Sequence, residues 1–110
     1  MKGGQTVGEA LRVARARRLR GAILLLLAEI APERVNAEVL RGALGREHLV
    51  VSARELAATL DYLRGRGYVD YEEVAARDYP ALPRLVSVGI TAAGMDLVEG
   101  TVEDAGVDLG

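Results

Sequence analysis

Apolar residues recur at helical spacing along most of the chain and alternate in two short stretches, so the pattern predicts helices around one small hairpin. Leu19, Ala22, Ile23, Leu26, Leu27 and Ile30 share one face at i, i+3, i+4 and i+7, which predicts a long first helix. Leu24 and Leu25 fall off that face. The helix is therefore apolar over more of its circumference than a surface helix needs, and either the C-terminal helix or a symmetric partner must cover it. Pro32 ends the helix, because a residue before proline is pushed out of the helical region. Upstream, Thr6 is placed to cap a short helix carrying Glu9, and the glycine-rich residues 1–5 are expected to be disordered.

Asn36 predicts the cap of a second helix, Ala37 to Leu44, with Val39, Leu40 and Leu44 turned inward and Gly45 in the left-handed position at its end. In the connector that follows, Leu49, Val50 and Val51 form a short strand or plug the core. Its lone histidine, His48, reads as a surface or capping residue rather than a ligand. Ser52 with Glu55 has the spacing of a capping box, in which the hydroxyl takes one orphan backbone N–H and the carboxylate reaches back to the other. The third helix then carries Leu56, Leu60 and Leu63 on one side and stops at Gly67. Its outward residues are Ala53, Arg54, Ala57, Ala58, Asp61, Arg64 and Arg66.

From Tyr68 the period becomes two. A second alternating run, Val86, Val88 and Ile90, follows Arg84, and two such runs make a hairpin. The connection over residues 75–83 carries two prolines and predicts an ordered, protruding loop anchored by Tyr79. Thr91 caps a last helix, Ala92 to Glu99, with Met95 and Val98 inward and Gly100 as its stop. Residues 101–110 hold three acidic groups and no basic one, which predicts a frayed tail.

Composition narrows this picture. A chain of 110 residues, half of them apolar, has material for one core, placed here at residues 6–100. The absence of cysteine rules out disulfides and thiolate zinc sites and fits a cytoplasmic setting. The run Ala22 to Ala28 is shorter than the roughly 18 residues of a membrane span. No enzyme, metal site or cofactor is expected. Ser52 and Ser87 have structural roles, one histidine has no partner to complete a nucleophile, and Glu72 and Glu73 point to opposite faces of a strand. Charge is uneven: residues 1–20 hold six basic groups against one acidic, and the other ninety hold eight against fifteen. Such asymmetry marks an arm for a polyanion or complementary surfaces between two copies of the chain.

The order helix, helix, helix, strand, loop, strand, helix resembles a winged helix-turn-helix with an added C-terminal helix, mainly α with a small β-hairpin. The leucine-rich third helix running into Arg66-Gly67-Tyr68-Val69 resembles the junction common to many winged-helix regulators. The ending Ile90-Thr91-Ala92-Ala93-Gly94-Met95-Asp96-Leu97-Val98-Glu99-Gly100 is similar to that of the short winged-helix proteins of Mu-like prophages, as is Asn36-Ala37-Glu38-Val39-Leu40 before a short helix. Two features depart from that pattern: the connection between the wing strands is longer, and the chain ends acidic.

What the resemblance implies is a phage-associated transcriptional regulator bound to double-stranded DNA. The third helix would enter the major groove, Arg54 reading a base while Ala57 and Ala58 make apolar contacts. Arg64, Arg66 and Arg84, with Arg15 and Arg18 of the arm, would sit on phosphates. Asp70, Glu72, Glu73 and Asp78 on the wing oppose this. The rival reading is a homodimeric protein-interaction module joined through Leu24, Leu25 and Leu97. Tyr62 and Tyr68 are expected in the core or its rim rather than as stacking groups for bases.

Overall fold

The computed structural model describes residues 6–75 and 83–110. Its elements run α1 (Val7–Ile30), α2 (Ala37–Arg46), α3 (Ala53–Gly65), β1 (Val69–Val74), β2 (Arg84–Ile90) and α4 (Ala92–Val98). Four helices and one antiparallel hairpin are the architecture that the sequence predicts. The start at 1–5 and most of the connection between the strands, with Asp78 and Tyr79, lie outside the described residues.

The short helix expected after Thr6 and the long first helix are one continuous helix. The Thr6 hydroxyl accepts from the Glu9 N–H at 3.1 Å, and the Glu9 carboxylate accepts from the Thr6 N–H at 3.0 Å. These bonds hold the Glu9 carboxyl below the usual carboxylate range. From there to Ile30 the residues are mostly Ala, Leu, Ile, Arg and Glu, among which nothing breaks the helix. Only its second half is core. Leu19, Ile23, Leu24 and Leu27 are fully buried, whereas Val7 and Leu11 are exposed. The expected face is thus buried at Leu19, Ile23 and Leu27, Leu24 joins them in the core, and Ile30 at its end is exposed.

Gly45 stays within α2, and the left-handed residue that ends the helix is His48, with φ 64°. The Leu49 N–H donates to the Leu44 carbonyl at 2.9 Å and the His48 N–H to the Gly45 carbonyl at 3.0 Å. This closing turn draws Leu49 into the core. Val39, expected inward, is 57% exposed because the buried side of α2 is Leu40 and Leu44. Gly67, at φ 82°, ends α3 as expected, with the Tyr68 N–H returning to the Leu63 carbonyl at 2.9 Å.

The strands pair Val69 with Ile90 and Val74 with Arg84, but the register slips between Asp70 and Glu72. Opposite that slip β2 holds one extra residue, and Ser87 there has φ 55°. The bulge changes the phase of β2: Leu85 and Val88 face the core in place of the expected Val86, Val88 and Ile90 alternation. Val88 also pairs with Val35, donating at 2.7 Å and accepting at 3.0 Å. The wing is thereby tied to the segment between α1 and α2.

In α4 the buried residues are Gly94 and Leu97, with Met95 and Val98 half-buried. A Cβ on Gly94 would lie 2.3 Å from the Tyr68 carbonyl oxygen, so glycine is what lets α4 close onto the α3–β1 junction. The acidic tail is packed rather than frayed. Val107 joins the core, and the Asp108 N–H donates to the Arg17 carbonyl at 3.0 Å. Arg20 donates to the Gly106 carbonyl at 3.0 Å while its guanidinium lies 3.8 Å above the Tyr62 ring. A Cβ on Gly21 would meet the Asp108 carbonyl oxygen at 1.6 Å, so the close approach of the tail to α1 requires glycine there. Acidic composition read as solvation concealed these specific seats.

Candidate nucleic-acid interface

The turn before α3 sets the aim of that helix, and two arginines hold the turn. Arg41 of α2 donates to the Val51 carbonyl at 2.8 Å, and Arg15 of α1 donates to the Val50 carbonyl at 2.9 Å. Ser52 caps α3, its hydroxyl accepting from the Glu55 N–H at 3.0 Å. The Glu55 carboxylate does not complete the expected box. It pairs instead with Arg15, which binds α1 to the start of α3. Leu56, Leu60 and Leu63 anchor the inner side of α3, at 0 to 1% exposure.

The opposite side presents Arg54, Ala58, Asp61 and Gly65 to solvent, one residue per turn of the helix. Ala57 is half-buried at the margin of this stripe. Arg54, on the first turn, makes no side-chain hydrogen bond or ion pair among the described residues. The expected phosphate contacts at the far end of α3 are engaged within the chain. Arg64 donates to Glu73 on β1 at 3.1 Å, lies 3.9 Å from Asp61 and stacks 4.0 Å above the Tyr71 ring. The hydrogen bond to Glu73 raises its pKa further.

Arg66 donates to Asp104 of the tail at 2.6 Å. That carboxylate, only 6% exposed, also accepts from the Tyr68 hydroxyl at 2.5 Å and the Gly106 N–H at 2.8 Å. The Tyr68 hydroxyl is the main cause that holds the Asp104 carboxyl below its usual range, with Gly106 and Arg66 adding to it. The same contact pushes the Tyr68 phenol up. Sequence reasoning missed Asp104 because a lone aspartate in an acidic tail carries no local signal.

Of the other expected site residues, Arg84 is exposed at the start of β2, and Arg18 is exposed on α1 beside a groove. Arg15 is engaged as described and is not free for a phosphate. Among the expected interface leucines, Leu24 and Leu97 are buried in the protomer's own core, at 0% and 3% exposure, and cannot form a surface. Leu25 remains, 41% exposed. Among the described residues no group of histidine, aspartate or glutamate is arranged to hold a metal ion, and no helix is long and apolar enough to cross a membrane.

A solved structure with this arrangement is a PadR-like transcription factor from Bacteroides fragilis. It superposes with a TM-score of 0.58 at 25% identity, over 84% of this chain and 81% of that one. The fold is a winged helix. Comparison with protein-family models and with curated proteins yields no match. In winged-helix terms α2 and α3 are the helix-turn-helix, the β1–β2 hairpin is the wing, and α4 with the packed tail is the addition.

Proposed function

We propose that the protein is a DNA-binding transcriptional regulator that reads double-stranded DNA with the leading end of α3. The observation that carries this reading is the contrast on α3 itself. Its first turn is capped, rigidly aimed by Arg15 and Arg41, and exposes an uncommitted Arg54 with Ala58 one turn on. An arginine there has the reach for a bidentate contact to guanine, and an alanine suits a thymine methyl. Arg15 also ties the basic half of α1 to this end, and the exposed Arg12, three residues earlier on that helix, is available for a phosphate contact. The likeness to a PadR-like transcription factor supports the same reading. Within it the protein acts as a cytoplasmic homodimer, whose two α3 helices meet successive half-sites roughly one turn of DNA apart. The prophage-like ending from Ile90 to Gly100 supports a phage-associated setting.

Titration of pooled duplex DNA at two salt concentrations tests the reading. Binding is expected at low salt and falls steeply at high salt, because few phosphate contacts carry the affinity. Absence of binding by the intact protein at low salt sinks it. A protein-interaction module is the second reading, and the pairing of Arg64 with Glu73 and of Arg66 with Asp104 favours it, since both remove cations from the surface that DNA would use.

A further inference from the structure

On the outward stripe of α3 the residue two turns beyond Arg54 is an acid. Asp61 has 77% of its side chain exposed, and its ion-pair partner among the described residues is Arg64, 3.9 Å away. That guanidinium is already held by Glu73 at 3.1 Å and by the face of the Tyr71 ring at 4.0 Å. An exposed pair of this length, three residues apart on one helix, contributes little to the fold. We infer that Asp61 is a specificity-determining residue, accepting a hydrogen bond from the N4 amino group of a cytosine about three base-pair steps from the guanine under Arg54. The inference rests on the DNA-binding reading above and adds to it the bases that α3 prefers.

Helical geometry places the two side chains. Seven residues of α-helix advance roughly 10.5 Å and return to within roughly 20° of the starting direction. Arg54 and Asp61 therefore project along one line, with the small Ala58 between them. The advance equals about three steps of roughly 3.4 Å along a duplex. Arg64 lies roughly 60° round the helix from Asp61 and turns to the wing, where Glu73 holds it. The edge chemistry of the major groove then selects the base. Guanine N7 and O6 and thymine O4 are acceptors and repel a carboxylate, and adenine sets its N6 amino group beside the acceptor N7. Cytosine offers the N4 donor with no acceptor next to it. A carboxylate near phosphates also opposes duplexes of every sequence. Asp61 thus lowers overall affinity while raising discrimination, because a wrong base leaves it both repelled and without a donor.

Selection of the full chain's preferred sites from a random duplex pool, followed by titration of single-position variants of the selected duplex, tests the inference. Arg54→Ala locates the guanine, as the position whose preference it erases. About three steps from it the parent is expected to prefer cytosine, and exchanging that base pair should weaken binding about tenfold. Replacing the cytosine by 2-pyrimidinone, which lacks the amino group, should weaken the parent to a similar extent. Asp61→Ala should bind the cytosine, exchanged and 2-pyrimidinone duplexes within about twofold of one another. The same variant should bind unselected duplex about threefold more tightly at low salt, because a like charge has left the surface. Since Asp61 is exposed, its thermal unfolding should match that of the parent, which separates lost discrimination from lost fold. A parent that binds no duplex at low salt overturns the inference together with the reading it rests on. A parent that binds but is indifferent to removal of the amino group overturns the inference alone. So does an Asp61→Ala variant that keeps the parent's base preference, whether or not its overall affinity rises, and the DNA-binding reading then stands without it.

Discussion

The two ends of α3 carry the same residue type and have opposite fates. At the leading end Arg54 extends into solvent; at the trailing end Arg64 and Arg66 are held by Glu73 and Asp104. The partners come from a strand and from the tail, nine and 38 residues away in sequence. A count of arginines on the helix therefore overstates the cations available to a polyanion. The two trailing pairs also differ from each other. Arg64 and Glu73 are both substantially exposed, and such a pair contributes little and yields readily to a competing phosphate. Asp104 is nearly buried with three donors around it, so its release would strand the Tyr68 hydroxyl and the Gly106 N–H as well.

The most drastic way to erase the contrast is to remove the floor on which both ends rest. Leu60→Ala empties a fully buried site midway along α3 and is expected to lower stability by about 3 kcal/mol, read by urea denaturation. It should weaken both ends together. The next variant, Asp104→Ala, acts on the trailing end alone. Loss of three hydrogen bonds to one carboxylate is expected to cost about 2 kcal/mol in the same measurement, with no direct effect on Arg54. The pH dependence follows from the same group. Its folded pKa lies below the unfolded value, so its contribution is fully present above the ordinary aspartate pKa of 3.8. It is lost as pH falls through the lower folded pKa. Asp104→Asn should flatten that part of the acid stability profile. An unchanged profile would show that the carboxylate charge is not what holds the tail.

The leading end was legible in sequence because its determinants are local. Ser52 marks the cap, the leucines at 56, 60 and 63 fix which side is buried, and Gly67 marks the stop. Arg54 then falls outward by helical geometry alone. The trailing end was not legible, since nothing near Arg66 announces a carboxylate 38 residues on. Glu55 shows a competition of the same kind: its spacing from Ser52 fits a capping box, yet an arginine 40 residues earlier takes the carboxylate. The bulge at Ser87 escaped for another reason. Alternation predicts a strand's faces only while its register is unbroken, and one inserted residue moves Val86 off the core and lets Leu85 in. At Leu24 the periodicity pointed to the right helix and too narrow a face, because α1 is covered on several sides by α2, α3, α4 and the sheet at once.

The finest separation of the two ends comes from a pair of single substitutions. Arg54→Ala removes a side chain with no partner in the described protomer, so stability should stay within about 0.5 kcal/mol of the parent. If α3 reads DNA with its first turn, the same change lowers affinity for a preferred duplex by about tenfold while leaving weak, salt-sensitive binding to other sequences. Arg66→Ala should do the reverse. It withdraws a donor from buried Asp104 and lowers the unfolding midpoint measurably, yet it leaves sequence preference intact because the guanidinium was never offered to DNA. Equal effects of the two variants on DNA binding, with neither touching stability, would mean that the tail releases Arg66 on the complex and that the contrast along α3 belongs to the free protein alone.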